Sequence, residues 1–194
     1  MIDTHCRKYA SGIFEKMADV FIKFRFTPNV VTVLALMSGI GASLMLYFDC
    51  SLSAIILLWI SGLLDAVDGQ MARKLNQSSD IGALMDILFD RIVEIVFIHV
   101  CALKSEDGGF AFMFLLSTII ISMTIFLTVG ALSGKSSEKS FYYQAGLMER
   151  TETFIIFTVM VFLPQYAKNI SVLFGTGILF TAGQRFYEAH KILD

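Results

Sequence analysis

The chain has 194 residues, of which 56% are hydrophobic and only 16% charged, with a formal net charge of −2. A soluble domain carries about a quarter charged residues, so this composition excludes an ordinary water-soluble protein and describes a polytopic helical membrane protein. The balance of charge leaves no basic face for nucleic acid. Cys6, Cys50 and Cys101 are odd in number and far apart, without metal-ligand spacing, and are read as reduced apolar residues.

From about Asp3 to Arg25, Tyr9, Ile13, Phe14, Met17, Val20, Phe21 and Phe24 recur at helical intervals, with Arg7, Lys8, Glu15, Lys16 and Lys23 between them. The pattern predicts an amphipathic helix lying in the membrane interface. Its charges run throughout, so no signal peptide is expected. Thr27-Pro28-Asn29 ends this helix and starts the next, with proline in the first turn, where its missing N–H costs little.

Apolar runs follow at roughly 30–49, 52–72, 82–103, 110–133, 151–167 and 169–186, each near the ~20 residues that cross the hydrocarbon core. The expected fold is an all-α integral membrane protein: six transmembrane helices over 30–190, preceded by the juxtamembrane helix over 1–25. No internal repeat or linker divides the chain, so residues 1–194 are read as one domain. Basic residues sort to one side: Arg7, Lys8, Lys16, Lys23 and Arg25 before the first span, Arg73 and Lys74 between the second and third, Lys135 and Lys139 between the fourth and fifth, and Arg185 and Lys191 at the end. The opposite loops hold only Lys104 and Lys168. By the positive-inside rule both termini are cytoplasmic, and so is the connection after Arg73.

That connection is flanked by carboxylates. Asp65, Asp68, Gly69, Ala72 and Arg73 fall within an arc of roughly 140° on one helix. Gly82, Asp86 and Asp90, spaced four apart, form a stripe on the next, and the short connection makes the two helices antiparallel neighbours. A carboxylate in the bilayer costs roughly 2.5–3.5 kcal/mol on insertion scales. Four close together cannot all ionise without cations, and Arg73 and Arg91 are too few. Two divalent ions with oxygen ligands, Mg²⁺ or Mn²⁺, would supply the charge, and such a pair is suited to phosphoryl transfer. Gly69 and Ala72 let a substrate approach the backbone, and Arg73 offers a bidentate phosphate ligand. The same cluster could serve a divalent-cation transporter, although Arg73 beside it would repel the ion and no inverted repeat is visible. A non-catalytic membrane scaffold is a third reading.

The run Asp-x-x-Asp-Gly-x-x-Ala-Arg, eight residues, then Gly-x-x-x-Asp-x-x-x-Asp resembles the signature of the CDP-alcohol phosphatidyltransferases. The six-span layout and the helix before it resemble the family too. The resemblance implies that Asp65, Asp68, Asp86 and Asp90 are ligands of a two-metal site, with Asp90 also the general base toward the acceptor hydroxyl. It implies that Asp68, Gly69, Ala72 and Arg73 contact the CDP moiety and that Gly82 makes room for it. Thr27-Pro28-Asn29-Val-Val-Thr32 resembles the segment opening the first span in these enzymes, which adds Thr32 to the CDP contacts. The implied reaction moves a phosphatidyl or related group from CDP-diacylglycerol, or another CDP-linked lipid, to a small alcohol and releases CMP. The implied setting is a homodimer among membrane lipids in a prokaryotic inner membrane, with the site facing the cytoplasm.

Lys135, Arg150 and Arg185 sit at the predicted cytoplasmic ends of the last three spans. They are either anchors of helix ends or a basic pocket for an acceptor that carries phosphate. Asp90-Arg91, Glu149-Arg150 and Gln184-Arg185 resemble pieces of the phosphatidylinositol-phosphate synthase branch. Thr153 stands where that branch carries a second arginine, and Gly134-Lys135-Ser-Ser-Glu138-Lys139 replaces its basic, alanine-rich segment. Inositol phosphate is the acceptor favoured by the resemblance, with glycerol 3-phosphate and serine as alternatives.

Overall fold

The computed structural model describes residues 2–132 and 150–193, with side chains from residue 12 to 191 within those ranges. The described residues form helices and turns with no strand. The helices are α1 (Ile2–Lys23), α2 (Pro28–Tyr47), α3 (Ser51–Lys74), α4 (Asp80–Leu103), α5 (Gly109–Leu132), α6 (Arg150–Phe162) and α7 (Ala167–Leu193), with a 3₁₀ turn at Pro164–Tyr166. They fall into two compact units, Thr4–Lys104 and Ser105–Asp194.

In the first unit α2 packs on α3 and α4, and small polar residues set the distances. Ser61 Oγ donates to the Ala35 carbonyl at 2.7 Å, and Ser38 Oγ to the Leu57 carbonyl at 2.9 Å. As 35 meets 61 and 38 meets 57, α2 and α3 are antiparallel. Gly39 lies under Val93 of α4, and a Cβ added there would stand 2.4 Å from Val93 Cγ2 and 3.1 Å from Ser61 Oγ. Gly82, at the start of α4, approaches Asn29 in the first turn of α2, so α4 runs parallel to α2. The three helices go up, down and up. Such contacts give bundles in lipid their cohesion, where apolar burial alone supplies little.

α1 closes one end of this unit. Its Ala18 is fully buried with Val31, Val67 and Met71, and Phe14, Met17, Phe21 and Ile22 pack around them. Ile13, Val20 and Phe24 face outward. Lys74, at the end of α3, pairs with Glu15 at 3.2 Å and Asp19 at 2.7 Å. α1, α2 and α3 all end on a residue in the left-handed region: Arg25 (φ 62°), Asp49 (φ 63°) and Asn76 (φ 51°). After each, the next N–H returns to a carbonyl of the last turn: Phe26 to Phe21, Cys50 to Met45, Gln77 to Ala72. Helix carbonyls that lipid could not satisfy are thereby capped.

In the second unit α5 packs along α7. A Cβ at Gly175 would meet Phe114 Cε1 at 2.8 Å, so the two backbones approach closely there. Further along both helices, Arg185 meets Ser122 and Phe126. The contacts advance together, and α5 and α7 are parallel.

Among the described residues, three helices are long and apolar enough to cross a membrane: α2, α3 and α5. α6 and α7 pass together as a pair bent by 113° at Leu163–Pro164. The break falls a few residues before the parting expected between the runs 151–167 and 169–186, because Pro164 opens a new helical turn. α4 has the length, but Asp80, Asp86, Asp90, Arg91 and Glu94 lie along it.

Gly39→Ala should lower the melting temperature of the detergent-purified protein, by about 1–3 kcal/mol of overpacking. Gly12→Ala, with nothing within 4 Å of the added Cβ, should not.

Candidate active site

The candidate site is built on the α3–α4 hairpin. α3 ends at Lys74 and Asn76 reverses the chain. Ser79 then caps α4, its Oγ accepting from the Gly82 N–H at 3.1 Å. A tight reversal with both ends capped, together with α2 packed on each helix, fixes the register of α3 and α4.

That register brings Asp65 and Asp68 of α3 to Asp86 of α4, with carboxylate oxygens all within 4.8 Å of one another. Asp68 is only 5% exposed, Asp65 is half-buried and Asp86 is exposed. Three carboxylates so close repel unless a cation or proton is shared among them. Oxygens bound to one Mg²⁺ stand at most about 4.2 Å apart, so side-chain rotation suffices to close this set on an ion. The donors are hard oxygens without sulfur or imidazole, which suits Mg²⁺ or Mn²⁺. Asp90, half-buried, lies outside this group. It sits one turn further along α4, about 6 Å of helix rise from Asp86.

Arg73 folds back over Gly69. A Cβ built on Gly69 would lie 3.6 Å from Arg73 Nη1 and 3.9 Å from Nη2, ordinary contact distances. The protein itself therefore has room for a methyl group at position 69. Ala72 and Gly82 are half-buried. Thr32 is buried, its hydroxyl donating to the Pro28 carbonyl of its own helix at 3.1 Å.

Arg150 and Arg185, singled out for an acceptor, belong to the second unit. Arg150 lies 5.5 Å from the centroid of Phe154. Arg185 donates to Ser122 Oγ at 3.2 Å and lies 5.1 Å from the Phe126 centroid. Lys135 lies outside the described residues. Two features near the site were not legible as contacts in the sequence. Asn29 lies beside Gly82, for which its place in the opening turn of α2 was the available signal. Arg91 pairs with the buried Glu94 at 2.5 Å, a pairing that their i,i+3 spacing permits.

A membrane protein with a carboxylate cluster on a helical hairpin beside an arginine is equipped to handle phosphate groups. The model of the CDP-alcohol phosphatidyltransferase family matches residues 25–182, and the chain belongs to that family. It is an integral-membrane phosphotransferase. It is 28% identical to the inner membrane protein YnjF of Escherichia coli over 100% of this chain and 97% of that one. It is 26% identical to the phosphatidylinositol phosphate synthase of Corynebacterium glutamicum over 98% and 90%. Its fold matches the phosphatidylinositol phosphate synthase of Mycobacterium tuberculosis with CDP-DAG bound, at TM-score 0.75 and 23% identity over 91% and 93%. A structure of that enzyme with manganese and citrate matches at 0.74 and 22%, over 91% and 88%. With the family established, an enzyme rather than a cation transporter accounts for the cluster.

Mn²⁺ should raise the melting temperature of the wild-type protein, and Asp86→Asn should abolish that rise. It should also leave the metal-free protein as stable or more so, because one repelling charge is gone. A metal-induced shift that survives in Asp86→Asn would exclude this residue from the cation site.

Proposed function

We propose that the protein transfers a phosphatidyl or related group from CDP-diacylglycerol to a small alcohol and releases CMP, using two divalent cations. The convergence of Asp65, Asp68 and Asp86 beside the Arg73–Gly69 face carries this reading. Asp65, Asp68, Asp86 and Asp90 would hold the ions. Bound there, Mg²⁺ or Mn²⁺ offsets the charge of the diphosphate and of the departing CMP.

This chain's own residues account for the rest. Arg73 binds a phosphate of the CDP moiety through its planar fork. The bare backbone at Gly69 lets the nucleotide lie against α3, with Asp68, Ala72, Gly82 and Thr32 as its further contacts. Asp90 takes the proton from the acceptor hydroxyl. The acceptor oxygen then bonds to the β-phosphorus as the bond from phosphorus to the CMP oxygen breaks. Lys135, Arg150 and Arg185 bind an acceptor that carries phosphate, with inositol phosphate favoured over glycerol 3-phosphate and serine.

The proposed setting is a single membrane domain over 1–194 with six spans, assembled as a homodimer in a prokaryotic inner membrane. Alternation of α2, α3 and α4 and the parallel run of α5 and α7, with α6 returning between them, support that count. The outward apolar set Ile13, Val20 and Phe24 supports an interfacial α1. Basic residues at the site end of α3 support a cytoplasmic site.

The test is CMP release from CDP-diacylglycerol with Mg²⁺ or Mn²⁺, run against inositol phosphate, glycerol 3-phosphate, serine and no acceptor. Acceptor-dependent release is expected, and Asp90→Asn should cut it by about 100-fold or more while CDP binding persists. Folded protein that binds no CDP would overturn the reading. Gly69→Ala should keep the wild-type melting temperature yet weaken CDP binding about tenfold. Unchanged binding would remove Gly69 from the nucleotide face.

A further inference from the structure

Phe114, Thr118, Ser122 and Phe126 are spaced four apart on α5 and form one stripe along it. α7 lies along that stripe. Gly175 sits against Phe114 and Thr118, close enough that a Cβ would stand 2.8 Å from the ring and 3.4 Å from Thr118 Oγ1. Ten residues further along α7, about 15 Å of rise, Arg185 reaches Ser122 and Phe126. Its Nη1 donates to Ser122 Oγ at 3.2 Å and its guanidinium carbon lies 5.1 Å from the Phe126 centroid. Ser122 is 5% exposed, and Thr118 and Thr181 are each 1% exposed. The contact is part-buried, with its serine inside the helix pair.

We infer that Ser122 and Phe126 are positioning residues that hold the Arg185 guanidinium for the phosphate of an anionic acceptor. The inference rests on the proposed acceptor role of Arg185. A hydroxyl oxygen takes one N–H and an aromatic ring supports the planar cation. A free arginine side chain would have to be ordered at the moment of binding, at a cost in rotamer entropy. Held by α5, it is ordered beforehand. Lysine has no planar fork to reproduce both contacts at once.

The experiment measures KM for inositol phosphate and for glycerol 3-phosphate, with KM for CDP-diacylglycerol as the internal control. The variants are Ser122→Ala, Ser122→Thr, Phe126→Leu, Phe126→Tyr, Arg185→Ala and Ser122→Ala/Arg185→Ala. Ser122→Ala is expected to raise acceptor KM about five- to tenfold, and Phe126→Leu about three- to fivefold. Donor KM should not move, Ser122→Thr and Phe126→Tyr should restore acceptor KM, and Ser122→Ala should add nothing once Arg185 is alanine. An acceptor KM raised by Arg185→Ala but untouched by Ser122→Ala and Phe126→Leu would overturn the positioning role and leave Arg185 in the pocket. An acceptor KM unmoved by Arg185→Ala would overturn the acceptor reading, and the positioning role with it. Thermal stabilisation by inorganic phosphate separates the same alternatives without turnover. It should be present in the wild type and reduced in Ser122→Ala and Arg185→Ala, and an undiminished shift in Ser122→Ala overturns the inference.

Discussion

Repulsion among carboxylates is the constraint around which the first unit is organised. Asp65, Asp68 and Asp86 are held together by the register of two helices, and left alone they would push those helices apart. The hairpin resists because it is tied at several points. Asn76 and Ser79 close the reversal, and α2 clamps α3 from behind through Ser61 and Ser38. Gly39 lets α2 meet α4 at the distance Val93 requires. Each tie uses a small residue, since only small residues allow backbones to approach where lipid offers no competing polar partner.

Two consecutive cations at the end of α3 have different duties. Lys74 is occupied by Asp19 and Glu15 of α1. Arg73 lies over Gly69 beside the carboxylate cluster. The helix turns about 100° per residue, so adjacent positions face α1 and the carboxylate cluster separately. Anchoring of α1 and, on the proposed reading, binding of phosphate therefore draw on different charges, although both charges stand at one helix end.

The core of the site was legible because helical periodicity converts spacing directly into a face. Asp65, Asp68, Gly69, Ala72 and Arg73 could be placed on one arc, and the short connection to Gly82 dictated the partner helix. Periodicity gives direction but not distance along the axis. By spacing alone Asp86 and Asp90 are equivalent members of one stripe, whereas the converging group takes Asp86 and leaves Asp90 a turn away. Composition was weakest where chemistry and burial compete. α4 reads as an apolar run from 82 to 103, yet Asp86, Asp90, Arg91 and Glu94 keep it out of the helices apolar enough to cross by themselves. Contacts between distant segments carry no local signal at all. Nothing in the spacing of Ser122 and Phe126 tells them from an ordinary buried stripe until α7 places Arg185 against them.

On the proposed reading, donor chemistry and acceptor recognition fall on different compact units. The carboxylates, Gly69 and Arg73 lie within Thr4–Lys104, whereas Arg150 and Arg185 lie within Ser105–Asp194. The two sets also differ in how they are built. The donor set is anchored by helix caps at a tight reversal, which leaves little freedom to vary. The acceptor set rests on side-chain contacts: Arg150 on Phe154 of its own helix, and Arg185 on Ser122 and Phe126 of another. A buried Thr153, three residues beyond Arg150, adds a hydroxyl and no charge to that set. On that reading, substitutions at such contacts would change acceptor recognition while the capped α3–α4 reversal stays as it is.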